Sequence, residues 1–223
     1  MSTIIITGAN RGLGIEFTKS FASKGYRVIA FVRDPSKMPK VEGVLAIKYD
    51  ASSSSSASEA IRELKEAHGV SMVDIVLANA GVLPSAALIR DITPEEFELC
   101  WRVNFLAPAM LFQAARPILK ANGKYIVMST EMATLDQDLS SGMGSYSTSK
   151  TAVNALIRKL HFEEPDYSIF SLSPGWVDTE MGSTGASWSG LTKTPQRVSD
   201  TLPGMVKVIE DGHKDNYSGY MIN

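Results

Sequence analysis

The sequence predicts an α/β fold in which a central parallel β-sheet is doubly wound, with helices on both of its faces. Short apolar runs rich in Ile, Val and Phe alternate along the chain with longer segments of helical periodicity. The runs are continuously hydrophobic, as expected of parallel strands that are buried on both faces. Because 223 residues suffice for one sizeable hydrophobic core, we expect a single domain over residues 1–223.

The predicted strands and helices alternate, and such strand–helix–strand repetition implies a parallel sheet. The strands are Ile4–Thr7, Arg27–Val32, Val44–Tyr49, Asp74–Ala78, Lys124–Ser129, Ile169–Ser173 and Gly219–Ile222. The helices are Leu13–Ser23, Ser58–His68, Pro94–Leu106 continuing to about Leu119, and Tyr146–Phe162. The serine-rich segment Ser52–Ser56 is expected to be a solvated loop that caps the second helix.

Composition excludes several classes of function. The formal net charge is -2 and 21% of the residues are charged, so no basic excess indicates a nucleic acid or an anionic membrane as partner. The apolar stretches are too short to span a bilayer, and the N-terminus lacks the pattern of a signal peptide. The histidines His68, His161 and His213 are scattered, so no metal site is expected. The only cysteine, Cys100, is expected to pack as an apolar residue in a reducing compartment, the cytoplasm.

A glycine-rich loop separates the first predicted strand from the first predicted helix. Gly8 permits a tight turn, Gly12 lets the backbone approach a pyrophosphate, and Gly14 lets the helix pack closely on the strand. The free N–H groups at the start of the helix would then bind phosphate oxygens. The spacing differs from the commoner Gly-x-Gly-x-x-Gly pattern, but the position between strand and helix predicts a Rossmann-type dinucleotide-binding domain.

The choice between NAD and NADP depends on the end of the second strand, where the adenosine ribose should lie. An acidic side chain there would bind a free 2′-hydroxyl and favour NAD. Here Arg33 closes the strand and Arg11 lies in the glycine loop, and a guanidinium matches the oxygens of a 2′-phosphate. Asp34 follows directly and leaves NAD as the alternative. We therefore expect NADP(H).

A tyrosine and a lysine stand four positions apart at the start of the last predicted helix. Tyr146 and Lys150 therefore share one helix face. A tyrosine normally titrates near 10, and a nearby cation lowers that pKa and makes the phenol a better acid–base group. Such spacing is common on helices, so the pair needs support from other motifs.

Together these motifs resemble the short-chain dehydrogenase/reductase family over essentially the whole chain. They occur in the family's order: Thr7–Gly14, Asp50, Asn79-Ala80-Gly81, Asn104, Ser129-Thr130, Tyr146-Ser147-Thr148-Ser149-Lys150 and Pro174-Gly175-Trp176-Val177-Asp178-Thr179. The run Arg158–Glu164 and the short chain further resemble fungal carbonyl reductases near norsolorinic acid ketoreductase, which implies a place in secondary metabolism.

The resemblance implies an NADPH-dependent reduction of a ketone or aldehyde. Tyr146 would donate a proton to the carbonyl oxygen, Lys150 would bind the nicotinamide ribose and lower the pKa of the tyrosine, and Asn104 would hold a water in the proton relay. The implied cofactor-binding residues come from the glycine loop, four strand ends and the catalytic pair: Gly8, Asn10, Arg11, Gly12, Leu13, Gly14, Arg33, Asp50, Ala51, Asn79, Ala80, Gly81, Tyr146, Lys150, Pro174, Gly175, Val177 and Thr179.

The chain departs from the family pattern at the end of the fifth strand. The family usually has Ser as the catalytic hydroxyl where this chain has Thr130, which keeps the donor and adds a methyl group. Ser129 precedes it and is expected on the opposite face of the strand, because side chains alternate. If the register differs by one residue, Ser129 supplies the hydroxyl instead. The neighbouring Glu131 has no counterpart in the pattern.

The substrate is expected to be a small apolar or aromatic carbonyl compound. A flexible segment at about residues 180–200 would cover it, and Trp176, Trp188, Met132 and Met143 would supply apolar surface. Two alternatives stay open: a non-redox relative that catalyses dehydration or isomerisation, and a nucleotide-binding sensor without catalysis. The chain stops soon after its last predicted strand, so a homodimer is expected rather than the family's usual tetramer.

Overall fold

The computed structural model describes residues 1–136 and 142–223, and in these ranges seven parallel strands form one sheet. The strands are β1 (Thr3–Thr7), β2 (Arg27–Val32), β3 (Leu45–Lys48), β4 (Val73–Ala78), β5 (Leu119–Met128), β6 (Ser168–Leu172) and β7 (Met221–Ile222). Their order is β3-β2-β1-β4-β5-β6-β7. The order reverses between β1 and β4, and ligands of doubly wound folds bind at the carboxyl ends of strands at such a point.

Helices cover both faces of the sheet. They are α1 (Gly12–Ser23), α2 (Ser56–Glu66), α3 (Pro94–Cys100), α4 (Ala107–Ala115), α5 (Gly144–Glu163), α6 (Glu180–Trp188) and α7 (Val198–Asp211), with a π-helical segment, Trp101–Leu106, joining α3 to α4. Residues of α2, α4 and α5 pack in one hydrophobic cluster with the sheet, and residues of α1 and α7 pack in another on the opposite face. The predicted fold class is thus confirmed.

The central strands carry apolar residues on both faces because each face of the sheet meets helices. In β1, Ile5 belongs to the cluster of α2, α4 and α5, whereas Ile4 and Ile6 belong to the cluster of α1 and α7. All three side chains are fully buried. Burial of one such side chain contributes roughly 1.5–3 kcal/mol to folding.

The serine-rich segment is a loop up to Ser55, as predicted, but it does not cap the next helix, which begins two residues earlier than predicted. Ser56, the first residue of α2, is buried, and its Oγ accepts a hydrogen bond from the N–H of Asp50 at 2.8 Å. Ser55, at the N-cap position, makes no side-chain capping bond. The loop therefore ties the helix to the end of β3 instead of capping it.

One expected helix is shorter than predicted, and two helices were not predicted. The helix expected to reach Leu119 ends at Ala115, because Pro117 lies in a short 3-10 turn and β5 then begins. The segment expected to be flexible contains α6, whose N-terminus is capped by the Thr179 hydroxyl, which accepts a hydrogen bond from the N–H of Gly182 at 3.1 Å. Helix α7 was not predicted at all.

Two structural observations concern a membrane-spanning helix and a reactive cysteine, neither of which the sequence led us to expect. In the described ranges no helix combines the length and the apolar character that a bilayer crossing requires. Cys100 is buried at the end of α3, and its Sγ lies 3.6 Å from the Ser145 Oγ. Burial raises the pKa of this thiol, which fits a packed rather than a nucleophilic cysteine.

Candidate active site

A cleft of 610 Å³ opens at the carboxyl ends of the central strands, where the strand order reverses. It is lined by most of the residues predicted to hold a cofactor: Gly8, Asn10, Arg11, Gly12, Leu13, Arg33, Asp50, Ala51, Asn79, Ala80, Gly81, Tyr146, Lys150, Pro174 and Thr179. Ser129 also lines it. Five other predicted site residues do not line the cleft: Gly14, Asn104, Thr130, Gly175 and Val177. Fold topology thus gathers residues that are far apart in sequence.

Two glycines of the loop lie so close to neighbouring atoms that a side chain at either position would collide with them. Gly8 has φ +64°, and a Cβ there would lie 3.1 Å from the Cα of Ala80. A Cβ on Gly14 would lie 2.1 Å from the carbonyl oxygen of Gly8. Arg11 stands at the N-cap of α1 and makes no side-chain capping bond, so the first N–H groups of the helix are free for an anion.

The segment after β4 supports this loop from the side. The Asn79 Nδ2 donates to the carbonyl of Thr7 at 2.9 Å, and the Ala80 N–H donates to the Thr7 Oγ1 at 2.9 Å. A Cβ on Gly81 would lie 3.4 Å from the Asn104 Oδ1 and 3.6 Å from the Lys150 Nζ. The Asn79 side chain is therefore engaged with the glycine loop, and the lack of a side chain at Gly81 leaves room beside Asn104 and Lys150.

The end of β2 presents Arg33, not Asp34, to the cleft. Arg33 is exposed and lines the cleft. The Asp34 carboxylate accepts bonds from the N–H and Oγ of Ser36, at 3.1 and 2.6 Å, and lies 3.4 Å from the Lys37 Nζ. These Ser36 hydrogen bonds lower the pKa of Asp34. The acidic neighbour that left NAD open is thus engaged in its own turn.

Three further charged side chains line the cleft, those of Asp50, Arg11 and Glu180. Burial acts to raise the pKa of Asp50, but the hydrogen bonds from Ser52 and the charge of Arg33 outweigh it, so the pKa is lowered. Arg11 forms an ion pair with Glu180 at the start of α6. This pair joins the glycine loop to the helix over the cleft, although both side chains are largely exposed and the attraction is worth little by itself.

The segment after β6 is held by its small residues. Gly175 has φ +70°, and a Cβ there would lie 2.2 Å from the Gln196 Oε1. Val177 is buried and pairs with Gln196 in a short parallel bridge. Thr179 lines the cleft while its Oγ1 caps α6. The segment 174–179, which was predicted to bind the cofactor, therefore also anchors helix α6 beside the cleft.

Helix α5 brings Tyr146 and Lys150 to the inner end of the cleft. The Lys150 Nζ donates to the carbonyl of Met128 at 2.7 Å and lies 6.0 Å from the centre of the Tyr146 ring. Burial lowers the pKa of Lys150 to about 8. Burial raises the pKa of Tyr146 to about 12, against a lowering effect of its hydrogen bond with Thr130. The expected lowering of the tyrosine's pKa by Lys150 is therefore not found: burial outweighs the effect of Thr130, and Lys150 is not among the causes of the shift.

The two hydroxyls at the end of β5 have different partners. The Thr130 hydroxyl hydrogen-bonds the Tyr146 side chain and also accepts from the N–H of Met132 at 3.3 Å. The Ser129 Oγ donates to the Asn154 Oδ1 at 2.8 Å. Ser129 has only one hydroxyl proton to give. Ser129 lines the cleft, but its proton is given to Asn154. Thr130 does not line the cleft, and its hydroxyl acts on the pKa of Tyr146.

Asn104 is fully buried in the π-helical segment. Its Oδ1 accepts from the N–H of Val82 at 2.9 Å, and its Nδ2 donates to the carbonyl of Val82 at 2.9 Å and to the Ser149 Oγ at 3.0 Å. The side chain expected to hold a water thus joins the loop after β4 to α5. Pro108, four residues on, has no N–H, so the backbone carbonyl of Asn104 lacks its usual helical donor.

The apolar wall of the cleft comes from residues that the sequence did not single out. They follow β4, lie on the helical segment from α3 onward, or face inward from α6: Val82, Leu83, Pro84, Leu99, Val103, Met181 and Thr184. Among the described residues that line the cleft, the expected Trp176, Trp188, Met132 and Met143 do not appear. The Trp176 Nε1 instead donates to the carbonyl of Gly182 at 2.9 Å. Part of this wall could have been predicted from residues 82–84, which are apolar and directly follow the motif Asn79-Ala80-Gly81.

This fold and cleft define a class of protein. The chain matches the short chain dehydrogenase family over residues 2–190, and it belongs to that family.

Particular relatives narrow the comparison. Norsolorinic acid ketoreductase of Aspergillus parasiticus is 30% identical over 234 residues, which cover 98% of this chain and 86% of that protein. The short chain dehydrogenase gsfK of Penicillium aethiopicum is 32% identical, and the match covers 100% of this chain and 96% of that one. The resemblance to fungal reductases near norsolorinic acid ketoreductase is confirmed.

Solved structures give the same fold. The NADPH-bound carbonyl reductase from chicken fatty liver superposes with a TM-score of 0.86 at 26% identity, covering 100% of this chain and 96% of that one. Carbonyl reductase Sniffer of D. melanogaster superposes with a TM-score of 0.87 at 23% identity, covering 99% and 96%. The second likeness shows the fold alone.

Proposed function

We propose that this protein is an NADPH-dependent carbonyl reductase that acts on apolar or aromatic ketones or aldehydes. The observation that carries the proposal is the Tyr146 hydroxyl, hydrogen-bonded to Thr130 and close to Lys150 at the inner end of the cleft. The related fungal ketoreductases and the NADPH-bound carbonyl reductase support it.

The cleft fits a dinucleotide phosphate. The close contacts of Gly8 and Gly14 leave no space for a Cβ, and the uncapped start of α1 offers N–H donors. Arg33 and Arg11 would hold the 2′-phosphate. Asp34 is engaged by Ser36 and Lys37, and Arg11 would exchange its exposed ion pair with Glu180 for the phosphate. NADPH would supply the hydride, and the protein would supply placement and electrostatics.

The catalytic roles follow from the protonation states. With a pKa of about 12, Tyr146 carries its proton at neutral pH and can donate it to a carbonyl oxygen. The Thr130 hydroxyl would polarise the same oxygen. Lys150, with a pKa of about 8, is largely charged at neutral pH, so its Nζ can donate to a ribose hydroxyl and stabilise the phenolate that Tyr146 leaves behind.

Asn104 would serve the proton relay through its backbone. Its amide group is already bonded to Val82 and Ser149, so a water held at this residue would bond the carbonyl that Pro108 leaves without a helical donor. The π-helical turn places that carbonyl in an irregular segment, as is frequent at functional sites.

The substrate would lie against the apolar wall formed by Leu83, Leu99, Val103 and Met181, with α6 as its cover. Such a wall favours apolar or aromatic carbonyl compounds over sugars. We further propose one domain over residues 1–223, because the strands of one sheet run from Thr3 to Ile222. A cytoplasmic homodimer is the form that we expect in the cell, and the free thiol of Cys100 fits a reducing compartment.

The test is NADPH oxidation by the purified protein against a panel of aromatic and aliphatic ketones. We expect turnover with aromatic or apolar ketones, and Tyr146→Phe should lower kcat by roughly two orders of magnitude or more while NADPH binding stays nearly intact. Full activity of Tyr146→Phe would refute the mechanism. Binding of NADPH without turnover of any carbonyl compound would favour the sensor alternative.

A further inference from the structure

One polar side chain of α5 lies outside the set of motifs that define the site. Asn154 follows Lys150 by four residues and Tyr146 by eight, so the three share one face of the helix. Each of them bonds to a different residue at the end of β5. Tyr146 bonds to the Thr130 hydroxyl, Lys150 to the carbonyl of Met128, and Asn154 to the Ser129 hydroxyl.

Asn154 joins the ends of three adjacent strands. Its Oδ1 accepts from the Ser129 Oγ of the β5 end at 2.8 Å and from the Ser171 Oγ of β6 at 2.9 Å. Its Nδ2 lies 3.4 Å from the Met221 Sδ of β7. Ser129 is only 3% exposed and Ser171 is fully buried, so water cannot readily replace these bonds and losing one leaves a buried hydroxyl without its acceptor.

We infer that Asn154 is a positioning residue for the proposed reduction: by holding the Ser129 hydroxyl it fixes the direction in which the next residue, Thr130, presents its own hydroxyl to Tyr146. The inference rests on the proposed function. Two observations support it beyond simple packing. Ser129 bonds through its N–H to the carbonyl of Leu172 at 2.8 Å, so its backbone and its side chain are both fixed. Thr130 stands beyond the last residue of β5 and begins a 3-10 turn, in which its carbonyl accepts from the N–H of Ala133 at 3.0 Å and its Oγ1 from the N–H of Met132 at 3.3 Å; Asn154 adds a constraint on the Ser129 side of this turn.

The same bond also decides which hydroxyl can act. The Ser129 proton is given to Asn154, so Ser129 has no proton for a substrate carbonyl while Asn154 is present. On α5, the Thr130 hydroxyl has the Tyr146 side chain as its partner and no amide acceptor like that of Asn154. Asn154 therefore assigns the catalytic hydroxyl to the second residue of the Ser129-Thr130 pair.

The experiment compares a variant that breaks every side-chain bond of Asn154 with variants that break one bond each. Asn154→Ala and Ser129→Ala remove the same Ser129–Asn154 bond, whereas Ser171→Ala removes the other bond to the Asn154 Oδ1 on a strand that carries no proposed catalytic group. We expect Asn154→Ala and Ser129→Ala to lower kcat for ketone reduction roughly tenfold, with KM for NADPH within about twofold of the unmodified protein. The double variant should be no worse than either single one. Ser171→Ala should stay within about twofold in kcat.

A second readout needs no cofactor. Amide hydrogen exchange in the free protein should be faster at the end of β5 in Asn154→Ala and Ser129→Ala, and unchanged there in Ser171→Ala. An equal loss of kcat in all three variants would indicate a merely structural role and overturn the inference, as would unchanged kcat in Asn154→Ala. If Asn154→Ala fails to fold, Ser129→Ala carries the test alone. Absence of ketone reduction in the unmodified protein would instead count against the proposed function.

Discussion

The role of Thr130 can be tested by Thr130→Val, which keeps the shape of the side chain and deletes its hydroxyl. The hydroxyl has two partners, the Tyr146 side chain and the N–H of Met132 at 3.3 Å. Loss of one donor to a developing oxyanion costs about 3 kcal/mol, which lowers kcat roughly a hundredfold. Loss of the long capping bond to Met132 should lower the free energy of unfolding by about 1 kcal/mol or less.

Ser129 cannot take over this role, because its hydroxyl is bonded to Asn154. Steady-state kcat with a reduced ketone, a separate NADPH titration by fluorescence, and urea unfolding measure the three effects independently. Thr130→Ser is the matched control, because it keeps the hydroxyl and the cap, and it should retain activity. Unchanged kcat in Thr130→Val, together with loss of activity in Ser129→Ala, would show that Ser129 and not Thr130 supplies the catalytic hydroxyl.

Three further outcomes follow from the cleft. Arg33→Asp should shrink or reverse the preference for NADPH over NADH by roughly tenfold or more, measured as the ratio of the two Kd values, since a charge-assisted bond contributes about 1.5–3 kcal/mol; equal affinities in the unmodified protein would contradict the assignment. Gly14→Ala should weaken NADPH binding by about tenfold or more because its Cβ would meet the carbonyl of Gly8 at 2.1 Å, whereas Gly204→Ala, with open space around it, should leave binding unchanged. Because the pKa of Lys150 is lowered to about 8 from 10.5, its charge is complete below that pH and lost above it, so kcat/KM for NADPH should fall as pH rises through about 8; a profile flat to the alkaline side would refute this role.

Much of the fold could be predicted from local pattern. The buried strands are continuous apolar runs, and this signal is strong because each strand is covered on both faces. Helices α6 and α7 were missed because their stability comes from tertiary contacts. In α7 the buried Met205, Val206 and Ile209 pack against the α1 side of the sheet, while Pro203 inside the helix obscures its periodicity.

The site was predictable where a motif has a fixed backbone requirement, as at Gly8 and Gly14. The direction of neighbouring polar side chains was not predictable. Whether Arg33 or Asp34 faces the cleft depends on the turn that the Asp34 side chain caps through the N–H of Ser36, and nothing in the local sequence reveals that turn's orientation to the cleft. The pKa of Tyr146 likewise depends on burial by residues distant in sequence.

The central claim is that the protein transfers a hydride from NADPH to a carbonyl carbon. Incubation with NADPH that carries deuterium at the transferable position of its nicotinamide, together with an aromatic ketone, tests the claim directly by mass spectrometry of the product. The account predicts an alcohol heavier by one deuterium, formed in equal amount to the NADP⁺ and absent with Tyr146→Phe at the same time point. Recovery of an isomerised or dehydrated product without deuterium, or of unchanged ketone with bound NADPH, would contradict it.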